Sequence, residues 1–136
     1  MKIITIFDSV HGKSKKIASL LPNPVHASQV TKIQKYDYFI FVCPTYGDEE
    51  LPNLMENFLI NLKITNKFYT VCELGNYFGE SYNFGVKNII EKILRRLKWK
   101  RFYKCLSLDS MPQIQWDTYY KWEQKLHELL SKINYK

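Results

Sequence analysis

The chain has 136 residues, of which 46% are hydrophobic, and it carries a formal net charge of +7. This length suits one domain with a full core and is too short for two ordinary domains, so a single domain over residues 1–136 is expected. Three scattered cysteines without a CxxC motif exclude a disulfide framework and a zinc site, and no metal site is predicted. Without an apolar run of about 18 residues, a membrane span is excluded, and a cytoplasmic protein is expected.

Five apolar segments predict β-strands, and the first and third are continuous runs typical of strands buried on both faces of a parallel sheet. The predicted strands span residues 3–7, 25–27, 38–43, 68–72 and 102–108. Helical spacing of apolar residues predicts helices over 15–21, 51–62, 86–97 and 117–133. Asp117 is the expected N-cap of the last helix. The polar segment 29–35 predicts an abbreviated connection in place of a helix.

Alternating strands and helices indicate an α/β domain. Right-handed crossovers fold such a series into a doubly wound parallel sheet of five strands with helices on both faces. Ligands bind such sheets at the carboxyl ends of the strands. The loops after the first, third and fourth strands open onto this edge, and all three have an unusual composition, so we expect the functional site there.

The first loop reads Ser9-Val10-His11-Gly12-Lys13-Ser14. A polar loop between a strand and a helix start favours an anion, because unpaired amide hydrogens and the helix dipole both attract negative charge. The motif GxxxxGK[ST] would need a glycine where Phe7 stands, and GxGxxG is absent, so neither nucleoside triphosphate nor dinucleotide binding is supported. The loop predicts a cradle for a single phosphate, with a purely structural turn as the alternative.

The other two loops combine aromatic residues with glycines. They are Pro44-Thr45-Tyr46-Gly47-Asp48-Glu49 and Leu74-Gly75-Asn76-Tyr77-Phe78, followed by Tyr82. Aromatic side chains can sandwich a flat ring, and glycines let the backbone approach its polar edge. Together with a phosphate cradle, they predict flavin mononucleotide (FMN) as cofactor. The alternative is that these tyrosines only cover surface.

At these three loops the sequence resembles the flavodoxin family, and the likeness covers nearly the whole chain. The first loop looks like the family's phosphate loop, with Ser9, Gly12 and Ser14 matching and His11 and Lys13 departing from the usual residues. The other two loops look like the family's second and third flavin loops. The resemblance implies the strand order 2-1-3-4-5. It implies that the flavin is bound by residues Ser9, Val10, His11, Gly12, Lys13, Ser14, Pro44, Thr45, Tyr46, Gly47, Asp48, Glu49, Leu74, Gly75, Asn76, Tyr77, Phe78 and Tyr82.

The function implied by this resemblance is that of a low-potential one-electron carrier, which shuttles between a reductase and an acceptor enzyme. The flavin does the redox chemistry, so no side chain is expected to act as a catalytic acid or nucleophile. The resemblance also implies that the peptide at Gly47 reorients when the flavin is reduced. Acidic residues near the ring are expected to lower the second potential, because like charges repel in a partly desolvated pocket; they are Asp48, Glu49, Glu50 and Glu73.

Two other functions remain open at this point. The third loop, Gly75-Asn76-Tyr77-Phe78-Gly79, is also compatible with the flavodoxin-like activator of class Ib ribonucleotide reductase, although the acidic second loop is not typical of it. A flavin-free phosphate or nucleic-acid binding module would use the region 87–104, which contains eight basic residues and one acid. Core packing is the favoured role of the aromatics in this region, nucleic acid is not expected as a partner, and an acidic protein is the alternative partner for the basic region. A monomer is expected.

Overall fold

The computed structural model describes residues 2–45, 51–75, 85–110 and 113–134. Its strands are β1 (Ile3–Phe7), β2 (Pro24–His26), β3 (Tyr38–Pro44), β4 (Phe68–Gly75), β5 (Lys100–Arg101) and β6 (Leu106–Asp109). Its helices are α1 (Lys13–Ala18), α2 (Asn53–Ile60), α3 (Val86–Arg96) and α4 (Trp116–Asn134). None of the helices in these ranges is both long and apolar enough to cross a bilayer.

All strand pairs in the sheet are parallel, and the strand order is β2-β1-β3-β4-β5, with β6 also paired to β4. This confirms the predicted order and the α/β fold. Because β1 and β3 are central, their side chains are covered on both faces, which explains their uninterrupted apolar sequences.

Two apolar clusters cover the two faces of the sheet. Alternate strand residues such as Ile4 and Phe41 pack with α2 and α3, whereas their neighbours, such as Ile40 and Val42, pack with α1 and α4. This alternation follows from the two-residue period of a strand. The helices therefore lie on both faces, and the loops at the carboxyl ends of the strands meet at one edge, the carboxyl edge.

The prediction of one last strand over residues 102–108 was wrong. Lys100–Arg101 and Leu106–Asp109 pair separately with β4, and four residues lie between them where β4 has only Thr70 and Val71. Phe102 and Tyr103 are consecutive, yet both pack against the cluster on the α1 and α4 side. A regular strand would point them to opposite faces, so the chain bulges between β5 and β6.

Several element ends also differ from the prediction. α1 begins at Lys13, because Gly12 takes the N-cap position, and it ends at Ala18. Asp117 is not an N-cap, since α4 already begins at Trp116 and Asp117 lies in its first turn. The predicted short connection at 29–35 contains one 3₁₀ turn, Ile33–Lys35, and a second, Ala27–Gln29, ends where the connection begins. Helix ends are set by local capping contacts that apolar periodicity does not reveal.

Candidate cofactor site at the carboxyl edge

The loop after β1 turns tightly around Gly12. The backbone N–H of Gly12 donates to the Oγ of Ser9 at 2.8 Å, which closes the loop. Gly12 has φ +86°, a left-handed conformation that strains any residue with a Cβ. A Cβ built at this position would have no atom within 4 Å, so the space beside the glycine is open. The loop thus combines a fixed backbone with room for a ligand.

Lys13 links residues 9–14, called the phosphate loop after the flavodoxin loop that they resemble, to the segment after β6. Its Nζ donates to the carbonyl of Ser110. The backbone N–H and the Oγ of Ser110 both donate to the carbonyl of Gly75, at 3.0 and 3.2 Å. The first loop, the start of the third loop and the end of β6 are therefore joined. Ser110 was not predicted from the sequence, although its position directly after a strand at the same edge could have suggested it.

Among the described residues, two buried side-chain oxygens have no hydrogen-bond partner: Ser14 Oγ and Thr45 Oγ1. Ser14 lies in the first turn of α1 and is 1% exposed. Thr45 follows β3, and its backbone N–H donates to the carbonyl of Leu74 at 2.8 Å. A buried hydroxyl without a partner costs about 1–3 kcal/mol. Both atoms lie in segments predicted to bind the cofactor, and a ligand with polar atoms would satisfy them.

Asp8 lies below the phosphate loop and is 4% exposed. Its Oδ1 accepts the backbone N–H of Ser9 at 2.8 Å and lies 3.2 Å from Nε2 of His26. Its Oδ2 accepts the backbone N–H of Met55, in the first turn of α2, at 3.0 Å. Because Nδ1 of His26 accepts the backbone N–H of Ser28, Nε2 is the nitrogen that donates to Asp8. Asp8 thus connects three segments, a role that the sequence analysis missed.

The predicted strand 68–72 stops before Glu73, but in the structure Glu73 lies within β4 and is fully buried. Its carboxylate accepts the backbone N–H of Lys87 at 3.0 Å and the Oγ–H of Ser107 at 2.5 Å. Burial raises the pKa of Glu73, and these two hydrogen bonds partly oppose that effect. Burial, with smaller contributions from the charges of Asp8 and Glu73, raises the pKa of Cys43 well above its usual value. Two carboxylates therefore lie just beneath the carboxyl edge.

The remaining predicted site residues fall into three groups. Val10 and His11 are exposed on the phosphate loop. Pro44 and Leu74 are register partners at the ends of β3 and β4, and the side chain of Leu74 is buried in the core. The others lie outside the described residues, and they are Tyr46, Gly47, Asp48, Glu49, Asn76, Tyr77, Phe78 and Tyr82.

A scan against protein families gives a match to the flavodoxin family over residues 6–122, which is most of the chain. The chain belongs to the flavodoxin family. No curated protein sequence matches it. The family match includes the phosphate loop, the ends of β3 and β4, and the first turns of α4.

Solved flavodoxin structures share the fold. The chain is similar to the flavodoxin from Streptococcus pneumonia TIGR4, with 22% identity over 97% of this chain and 99% of that one and a TM-score of 0.76. It is similar to a cysteine-to-alanine mutant of the flavodoxin from Pseudomonas aeruginosa, with 18% identity, coverage of 96% and 97%, and a TM-score of 0.77. The Fusobacterium nucleatum flavodoxin, solved bound to flavin mononucleotide, has 25% identity, coverage of 74% and 69%, and a TM-score of 0.61.

Proposed function

We propose that this member of the flavodoxin family binds FMN at the carboxyl edge and carries single electrons between a reductase and an acceptor protein. The observation that carries the proposal is the pair of buried hydroxyls without partners, Ser14 Oγ and Thr45 Oγ1. They follow two adjacent strands, β1 and β3, at the edge where ligands bind such sheets. Family membership supports a flavin-dependent function over a flavin-free binding module.

In this proposal the phosphate loop binds the phosphate of FMN. Ser14 Oγ donates to a phosphate oxygen, Gly12 leaves room for the group, and Lys13 contributes positive charge. Ser9 acts indirectly, because its Oγ accepts from Gly12 and fixes the turn. Val10 and His11 are exposed beside the loop, where His11 can donate to the phosphate from the solvent side.

The isoalloxazine ring lies between the second and third loops in this proposal. Thr45, Tyr46 and Gly47 line one side, and Gly75, Asn76 and Tyr77 line the other. Thr45 Oγ1 then donates to a polar atom of the flavin, which removes the cost of its burial. When bound, FMN supplies the one-electron chemistry, and the protein contributes binding, orientation and electrostatics.

The negative charge of carboxylates near the carboxyl edge supports a low reduction potential for the bound flavin. Asp8 and Glu73 are buried at the ends of β1 and β4, and Asp48, Glu49 and Glu50 follow β3 in the sequence. Carboxylates near a ring in a partly desolvated site oppose the addition of negative charge to that ring. We therefore infer that the carrier donates electrons at low potential.

Comparing FMN with riboflavin, which lacks the phosphate, tests the site. The Ser14→Ala variant should bind FMN about tenfold more weakly and riboflavin unchanged, because one hydrogen bond to a charged group is lost. Ser19→Ala is the matched control, since Ser19 lies in the same segment but is exposed and donates to the carbonyl of Lys16. Equal losses for both ligands, or a wild-type protein that binds no FMN, would contradict the proposal.

A second candidate is the activator of class Ib ribonucleotide reductase, favoured by the sequence Gly75-Asn76-Tyr77-Phe78-Gly79 in the third loop. It would bind the same cofactor and differ in its partner. The test is whether the reduced, FMN-loaded protein yields superoxide that supports assembly of a dimanganese site in that enzyme. Failure of assembly would remove this candidate and leave the general electron carrier.

A further inference from the structure

The edge of the sheet opposite to the cofactor site is strongly basic. Six lysines lie at the strand starts of this edge or in the segments that precede them, and we refer to them together as the basic edge: Lys2, Lys35, Lys63, Lys67, Lys98 and Lys100. Residues 35–37, 61–67 and 98–100, which form most of it, contain one acid, Asp37. The basic edge thus carries a clear excess of positive charge.

Backbone hydrogen bonds join these segments side by side. The N–H of Asp37 donates to the carbonyl of Lys2 at 2.8 Å, and the N–H of Phe68 donates to the carbonyl of Asp37 at 3.1 Å. The N–H of Lys100 then donates to the carbonyl of Lys67 at 2.9 Å. Neighbouring strands lie about 4.8 Å apart, so these lysines form one contiguous surface across four strand starts.

The lysines of the basic edge are available to a partner. Five of them are exposed, and Lys67, which is half-buried, donates to the carbonyl of Gln34 at 3.1 Å. Within the described ranges two ion pairs join Glu91 to Arg95 and Arg101, and neither of them uses a lysine of the basic edge. A hydrogen bond from Asn23, with the charges of Lys35 and Lys2, lowers the pKa of Tyr36, which is consistent with positive potential here.

The basic edge is too far from the cofactor site to be part of a docking surface around that site. β4 starts at Phe68, beside Lys100, and ends seven residues later at Gly75, at the carboxyl edge. At about 3.3 Å per residue the two edges are roughly 23 Å apart. A partner bound at the basic edge would leave the cofactor edge uncovered.

The surface favours carboxylates over the phosphates of a nucleic acid. In this fold the helix that follows a strand runs back toward the strand starts, so the carboxyl ends of the helices, with their unpaired carbonyl groups, lie at the basic edge. For example, the carbonyl of Leu97, just after α3, accepts the N–H of Asn66 there. Amide donors of the kind that bind phosphate are therefore not presented by these helices. Two aromatic rings at this edge already have a partner on one face, since Phe68 stacks on Tyr38 and Lys35 Nζ lies 5.2 Å from the Tyr36 ring centroid.

We propose that the basic edge binds a carboxylate-rich segment of a protein partner, while the cofactor edge stays free for electron exchange. The charges are complementary, and the lysines are point charges that need no fixed carboxylate geometry. The role of that partner as a redox protein rests on the proposed function. Attachment at one edge would raise the effective concentration of the partner at the other.

The test uses a peptide of about eight glutamates, whose extended length of about 26 Å spans the four strand starts. Binding to the full chain is measured by calorimetry at low and high salt. The Lys35→Gln/Lys100→Gln variant should bind the peptide about fivefold more weakly, since two screened charge pairs are lost. The matched control, Lys121→Gln/Lys125→Gln, removes the same charge from the exposed face of α4 and should bind within about twofold of wild type.

FMN affinity is measured on the same proteins and should be equal in all three. If the wild type does not bind the peptide, or the control loses as much affinity as the edge variant, the proposal is wrong. Tighter binding of a single-stranded RNA of equal charge would overturn it in favour of nucleic acid. The peptide is titrated both with and without FMN, so the two proposals are tested separately. If the protein binds the peptide but no flavin, only the proposed function is refuted.

Discussion

The carboxylate of Asp8 accepts the backbone N–H of Met55 at 3.0 Å and so joins the end of β1 to the first turn of α2. Glu73 does the same for the next helix, since it accepts the backbone N–H of Lys87 in the first turn of α3 at 3.0 Å. Each carboxylate satisfies a helix amide that has no partner within its helix. Asp8 thereby fixes the phosphate loop against the segment where the second loop ends, and Glu73 ties together the two ends of the third loop.

Replacing Asp8 by alanine should destabilise the protein by about 2–3 kcal/mol, because the buried N–H of Met55 and the ring of His26 lose their acceptor. Urea unfolding without flavin measures the change. Glu128→Ala is the control, since Glu128 is exposed on α4 and its loss should cost no more than about 0.5 kcal/mol. Equal stability of the two variants would show that Asp8 does not anchor α2.

Replacing Thr45 by valine should have opposite effects on stability and on binding. The flavin-free protein should gain about 1 kcal/mol, because a buried hydroxyl without a partner is replaced by a methyl group of similar size. FMN and riboflavin should both bind several-fold more weakly, since the lost contact is with the part that the two share. Thermal unfolding and fluorescence titration measure these effects. A variant that loses stability without flavin would mean that Thr45 Oγ1 already has a partner.

Glu73 should make stability depend on pH. Its pKa is raised by burial, so the folded state binds the proton more tightly than the unfolded state, where the pKa is about 4.3. Stability therefore falls as pH rises from the unfolded pKa through the higher folded pKa. Glu73→Gln removes this dependence, so its stability relative to wild type should be greater at about pH 7 than at about pH 4. Urea unfolding at both values is the measurement, and identical pH profiles would contradict the assignment.

Replacing Gly47 by valine should change the redox behaviour more than the affinity for oxidised FMN. By its resemblance to flavodoxins, Gly47 is expected at the peptide that reorients on reduction. Glycine accepts either backbone geometry of such a peptide at little cost, and a β-branched residue does not. The separation between the two one-electron potentials should shrink. Tyr46→Phe leaves the backbone preference unchanged and serves as the control. An unchanged separation in the valine variant would show that the peptide does not move.

The sheet could be predicted because its central strands are unbroken apolar runs. Such runs indicate strands that are buried on both faces, as β1 and β3 are. The bulge after Arg101 could not be predicted, because Phe102 and Tyr103 are residue types typical of strands. The break in the strand is evident only in the structure, where both side chains pack on the same side of the sheet. Composition and resemblance sufficed to propose the loops that line the site.

The contacts that fix those loops were not predictable. Asp8 and Met55 are 47 residues apart, and Lys13 and Ser110 are 97 apart. No feature of the neighbouring sequence distinguishes a carboxylate that is buried as a hydrogen-bond acceptor from one that is exposed at the end of a strand. Glu73 shows the same limit, since the predicted strand stops at residue 72, whereas Glu73 pairs within β4 and two donors from distant segments satisfy its carboxylate.

The most direct test of the account is an anaerobic dithionite titration of the protein reconstituted with FMN and followed by visible absorbance. We predict one bound flavin per chain, reduced in two resolved one-electron steps with a low second potential. A protein that retains no flavin, or one whose flavin takes up both electrons in a single step like the free cofactor, would contradict it.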